Sequence, residues 1–111
     1  MRAKRGRGGA SKRKPAEDIL QILRDEYPGE EAWKNYVDAF REEWDARQDQ
    51  ALLLEKFPED LAIPLAWHFG DRAWDWYTHA IPALGNRTPR SVHRGADGDV
   101  ILRSAIMRIP V

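Results

Sequence analysis

The chain of 111 residues contains no cysteine. That excludes a disulfide framework, a thiolate metal site and a thiol nucleophile at once. No apolar run approaches the ~20 residues that a membrane span requires. The basic N-terminus is not followed by the apolar block of a secretory signal, so the expected setting is the cytoplasm, with no membrane partner. "NRT" at Asn86–Thr88 fits a glycosylation sequon, which that setting makes a coincidence. No strand-type alternation of apolar and polar residues occurs anywhere, so the expected class is all-α. Also missing are HExxH, a Walker-type glycine loop and GxSxG, and no cofactor is implied. The composition therefore reads as a binding protein rather than an enzyme.

What is present is unevenly distributed. Formal net charge is zero, yet residues 1–14 hold seven Lys/Arg and no acid. Residues 15–63 hold fourteen Asp/Glu against five Lys/Arg, and residues 64–111 hold six Arg against four Asp. The expected organisation follows these blocks: a basic arm (1–14), an acidic helical region (15–63) and a helical C-terminal domain (64–111). The arm, "MRAKRGRGGASKRK", lacks apolar side chains larger than Ala after Met1, so it is expected to be disordered. Arg2, Lys4, Arg5, Arg7, Lys12, Arg13 and Lys14 are its candidate nucleic-acid contacts; a solubilising tail is the plainer alternative.

Periodicity and punctuation predict two longer helices beside four or five short ones. Pro15 suits a first helical position, and Ile19, Leu20, Ile22, Leu23 and Tyr27 mark an apolar face that Pro28-Gly29 stops. Trp33, Tyr36, Val37, Phe40 and Trp44 form the next stripe. The polar "DARQDQ" interrupts it before Ala51, Leu53 and Leu54, giving one bent helix or two. Pro58 and Pro64 predict two short helices starting near each proline. Gly70 should end the second and Asp71 cap the next, "DRAWDWYTHA". Thr88-Pro89 reads as an N-cap with proline behind it, Gly95 as a stop, and Gly98-Asp99 as the start of the last helix.

Candidate chemistry is sparse. His68 and His79, with Asp71 and Asp75 between them, are the best metal or catalytic grouping, although their spacing does not put the histidines on one helix face. His93 and Asp97 flank a glycine turn. Asp97 and Asp99 echo a calcium loop but lack its other ligands, so a helix cap is the better reading. Trp74 and Trp76 point ~200° apart on a helix, so one should face the core and the other solvent or a partner.

The stretch "FGDRAWDWYTHAIPALGNRTPRSVHRGADGDVILRSAIMRI" resembles the toxin-binding domain of the Xre/MbcA/ParS antitoxin family over residues 69–111. Trp76-Tyr77 stand at the family's Trp-Leu, Pro82-Ala83-Leu84-Gly85 at its loop, and Arg87-Thr88-Pro89 at its core motif. Gly98 is the second turn and Met107-Arg108-Ile109 the ending. Asn86 replaces a glycine, which a left-handed backbone permits. Arg90 and His93 stand where the family favours Leu. The resemblance implies an antitoxin that neutralises a cognate protein toxin, commonly a RES-type enzyme that consumes NAD, by covering its active site. On that reading Trp76, Arg87, Thr88, Arg94, Arg103, Arg108, Ile109, Pro110 and Val111 form the toxin-binding set. Deleting residues 106–111 is expected to release the toxin without unfolding the antitoxin. Nucleic-acid binding or autoregulation through the basic arm is the alternative, and a homodimer is compatible with either.

Overall fold

The computed structural model describes residues 15–110. The basic arm and Val111, with the expectations placed on them, lie outside the described residues. Among those described, the fold is all-α, with eight helices: α1 (Pro15–Asp25), α2 (Glu30–Asp38), α3 (Arg41–Asp45), α4 (Gln50–Lys56), α5 (Glu59–Phe69), α6 (Ala73–Thr78), α7 (Pro89–His93) and α8 (Gly98–Met107). Two 3₁₀ turns, Gly70–Arg72 and Pro82–Leu84, lead out of α5 and α6.

The stripe starting at Trp33 is carried by α2 and α3, and Leu53 by α4, rather than by one bent helix or two. Around Ala39 the backbone tightens: its N–H is shared between the carbonyls of Asn35 and Tyr36, and the Phe40 N–H reaches back to Val37 at 3.0 Å. This local overwinding turns the chain so that Trp33, Val37, Phe40 and Trp44 all end buried. The Gln50 side chain donates to the Trp44 carbonyl at 2.6 Å, satisfying an end of α3 as α4 begins.

The expectation of separate helices at Pro58 and Pro64 is overturned at the second proline. α5 starts after Pro58 and continues through Pro64. Pro64 cannot donate to the Asp60 carbonyl, but Leu61 through Ala66 are six consecutive buried residues. Burial on every side of this segment outweighs one missing backbone bond. Asp71 is likewise not a cap: it sits inside the 3₁₀ turn, and no side chain caps α6.

Two core clusters result. The larger joins the α2–α3 stripe to Leu53, Phe57, the buried run of α5, Ala73 and Tyr77 of α6, and Leu102 and Ile106 of α8. The smaller joins Leu23 of α1, Leu84, Val92 of α7, and Ile101 and Ala105 of α8. On α8 the pairs 101/105 and 102/106 are each four apart and offset by one residue, about 100° around the axis. One helix therefore serves both cores.

Candidate binding surface

The C-terminal end of α5 carries Trp67, His68 and Phe69 in succession. Gly70, at φ 62°, reverses the chain into the 3₁₀ turn, which brings α6 back alongside. The Trp76 ring then stacks on Phe69, with centroids 5.1 Å apart and planes 20° from parallel. Beside this pair opens a groove of about 730 Å³ lined by His68, Phe69, Arg72, Asp75, Trp76 and His79. Both Trp74 and Trp76 are half-buried, so neither is wholly in the core or wholly in solvent. The exposed tryptophan is Trp67, 42% accessible while its ring packs 4.8 Å from Phe40. The short α6 lies in a corner where each indole finds a partial wall: Phe57 and Tyr77 for Trp74, Phe69 for Trp76.

His68 is tied into the fold. The Tyr36 hydroxyl lies 2.7 Å from its Nε2 and donates to the Ile106 carbonyl at 3.1 Å. A phenol has one proton, and the carbonyl can only accept, so the network places the hydrogen on His68 Nε2, donating to the Tyr36 oxygen. Burial pushes the Tyr36 hydroxyl up to about 12 and holds the His68 imidazole below its ordinary value. The groove does gather His68, Asp75 and His79, as the spacing allowed. However, His79 Nδ1 is taken up by the Asp75 backbone carbonyl at 2.7 Å. No group of three or more His, Asp or Glu among the described residues could hold a metal ion.

The Arg-Thr-Pro core falls on a loop whose φ values at Gly85 and Asn86 are both left-handed, 66° and 64°. Asn thus takes a glycine-type conformation, as its short polar side chain permits. Thr88 is the N-cap of α7 and accepts from the Ser91 N–H at 3.0 Å. Arg87 is exposed and its backbone forms an isolated antiparallel bridge with Ile81. Arg94 is exposed at the end of α7. Asp97 stands at the N-cap position of α8 but makes no side-chain cap bond; its carboxylate is 3.7 Å from Arg24. Neither it nor Asp99 is the cap that the glycine turn suggested.

Two of the sequence-selected arginines are engaged within the fold. Arg103 bonds Glu30 at 2.9 Å and Asp60 at 3.1 Å, and its guanidinium lies over the Trp33 ring. Asp60 also accepts from the Trp33 indole at 3.0 Å. Arg108 pairs with Glu26. The tail is correspondingly anchored: Ile106 is fully buried, Ile109 packs against the larger core, and Pro110 is exposed. Removing residues 106–111 would therefore strip a core side chain and the carbonyl held by Tyr36. The expectation that this deletion spares the fold is corrected; among the described residues the packed part of the tail reaches Ile109.

Two further groups carry no local signal in the sequence. Tyr77, His93 and Asp99 form a chain, with the Tyr77 hydroxyl 2.9 Å from His93 Nδ1 and His93 Nε2 2.7 Å from Asp99. It ties α6, α7 and α8 together and occupies both His93 nitrogens. The Trp33–Asp60–Arg103–Glu30 group spans sequence separations of 27 to 73 residues, beyond any local motif. No family model, curated protein or solved structure matches this chain.

Proposed function

We propose that the protein is an antitoxin-like binding module that neutralises a cognate protein toxin in the cytoplasm by covering its active site. On this reading the toxin is a RES-type, NAD-consuming enzyme. The observation that carries the reading is the order of elements in residues 69–110. A Trp76-bearing helix leads through a left-handed Pro-Ala-Leu-Gly-Asn loop to the Thr88-capped α7. Gly98 then opens α8, which ends at an exposed Pro110. This is the succession that the resemblance implies. Binding is favoured over catalysis because four of the six histidine nitrogens are committed to internal partners: both of His93, Nε2 of His68 and Nδ1 of His79.

Within the proposed set the residues divide. Trp76, Arg87, Arg94 and Pro110 are available to a partner; Thr88, Arg103 and Ile109 hold the scaffold that presents them, and Arg108 is half engaged through Glu26. The test is a pull-down of the full chain from its native host at high salt. The expected result is one tight protein partner encoded next to it, whose NAD-consuming activity is suppressed in the complex. Trp76→Ala should weaken that complex at least tenfold, as expected for an aromatic anchor, with circular dichroism unchanged. Recovery of no protein partner overturns the reading.

A further inference from the structure

We propose that α7 and the Trp74 ring form a second, folded contact for single-stranded nucleic acid, separate from the basic arm. Lys56 Nζ lies 5.3 Å from the centre of the Trp74 ring and the Arg90 guanidinium 5.7 Å from it. Arg90 on α7 and Arg94 at its C-cap are four residues apart and so share a face; burial raises the Tyr77 hydroxyl above its ordinary value, against the opposing influence of both arginines, which lie near it. Trp74 and Tyr77 are themselves in contact, with ring centroids 5.5 Å apart. Arg87 extends the same run three residues earlier and is exposed. Two cations thus lie over one half-exposed indole, and a third, Arg94, lies near the adjoining Tyr77.

Most of the other cations are paired. Arg24, Arg41, Arg47, Arg72, Arg103 and Arg108 each have a carboxylate partner. Among the described residues Lys34, Lys56, Arg87, Arg90 and Arg94 form no ion pair; Lys34 stands apart on α2. The carboxylate at the rim, Asp99, is bonded to His93. Like charges at a four-residue spacing oppose helix formation, so the arrangement does not serve the stability of α7.

Cations set over an aromatic ring offer a nucleic-acid single strand phosphate contacts with a planar guanidinium beside them. Base stacking on the Arg90 guanidinium plane fits the same geometry. A duplex fits less well, because the five residues of α7 rise only about 7.5 Å and cannot fill a major groove. An acidic peptide would use the charges but leave the indole without a role.

The test is fluorescence anisotropy of a labelled 15-nucleotide oligo(dT) with the full chain at 50–200 mM salt. In the Arg90→Ala/Arg94→Ala variant, with the arm intact, affinity should drop on the order of tenfold at 50 mM salt. The slope of log affinity against log salt should shrink by about 1.4, the share of two phosphate contacts on a single strand. Lys56→Ala/Arg94→Ala, at two exposed positions, repeats the measurement should the first variant unfold. Affinity and slope unchanged in both variants overturn the proposal and leave binding to the arm. Displacement of oligo(dT) by 15-residue polyglutamate as effectively as by unlabelled oligo(dT) also overturns it, in favour of an acidic protein segment.

Discussion

At the scale of single residues, backbone geometry and proton balance make firm demands. A Cβ built on Gly98 would stand 2.1 Å from the His93 carbonyl oxygen and 2.6 Å from that of Val92. Both are backbone atoms, so relief requires α7 to move away from α8. Gly98→Ala should cost at least about 2 kcal/mol, at the upper end of overpacking effects, read as a lowered denaturant midpoint. A midpoint within error of the parent would show that the α7–α8 turn is loose. Thr88→Ala removes the bond to the Ser91 N–H and should cost about 1 kcal/mol, while Thr88→Ser should retain most of it. His68 makes the pH prediction. Its folded value is depressed by burial, so below about pH 6.5 the unfolded chain takes up a proton that the folded chain resists. Its contribution to stability is complete above that pH and is lost as the pH falls through the folded value. Chemical denaturation at pH 7.5 and 5.5 should show this loss, and His68→Gln should reduce it. A His68 ring resonance titrating at or above the ordinary histidine value would refute the assignment.

At the scale of elements, short helices here exist because one or two side chains fasten each to a core. α4 has seven residues, too few to stand alone in water. Its buried residue is Leu53, whereas Leu52 is 63% exposed. Leu53→Ala should cost about 2–4 kcal/mol and expose the α4 amides to hydrogen exchange. Leu52→Ala should stay within about 0.5 kcal/mol; equal effects would mean that α4 is placed by something other than Leu53. The same dependence on packing explains which boundaries were legible in sequence. Pro28-Gly29, Gly70, Thr88-Pro89 and Gly98 act through local backbone preferences, and each falls where those preferences put it. The break at Ala39–Phe40 and the passage of α5 through Pro64 are decided by what Phe40 and Leu61–Ala66 bury against, and no local signal carries that information. The surface divides in the same way. The cap at Thr88 is local and legible, while the engagement of Arg103 with Glu30 and Asp60 and the exposure of Trp67 arise only once distant helices meet.

At the scale of the whole molecule, the charge blocks do not partition the fold. Leu102 and Ile106, near the end of the chain, are fully buried in the same cluster as Trp33, Val37, Phe40 and Trp44. Arg103 reaches Glu30 at the start of α2 and Asp60 in α5, and Arg108 reaches Glu26. The toxin-binding resemblance covers residues 69–111, yet those residues lack one wall of the core that α8 enters. A fragment of residues 64–111 would begin inside α5, lose Leu61, Ala62 and Ile63, and expose Leu102 and Ile106 to water. Each fully exposed aliphatic side chain forfeits about 1.5–3 kcal/mol of transfer energy, and a chain of that length has little else to offset it. The fragment should therefore be unfolded, with a random-coil circular dichroism spectrum and collapsed amide dispersion. Residues 15–111 should unfold in one transition, coincident by tryptophan fluorescence and far-UV dichroism. A folded 64–111 fragment that still binds the partner would make the C-terminal motif an autonomous domain and reduce α2 and α3 to an appendage. An unfolded one makes the acidic helices part of the binding unit, since without them the surface carrying Trp76 and Arg94 has nothing to hold it in place.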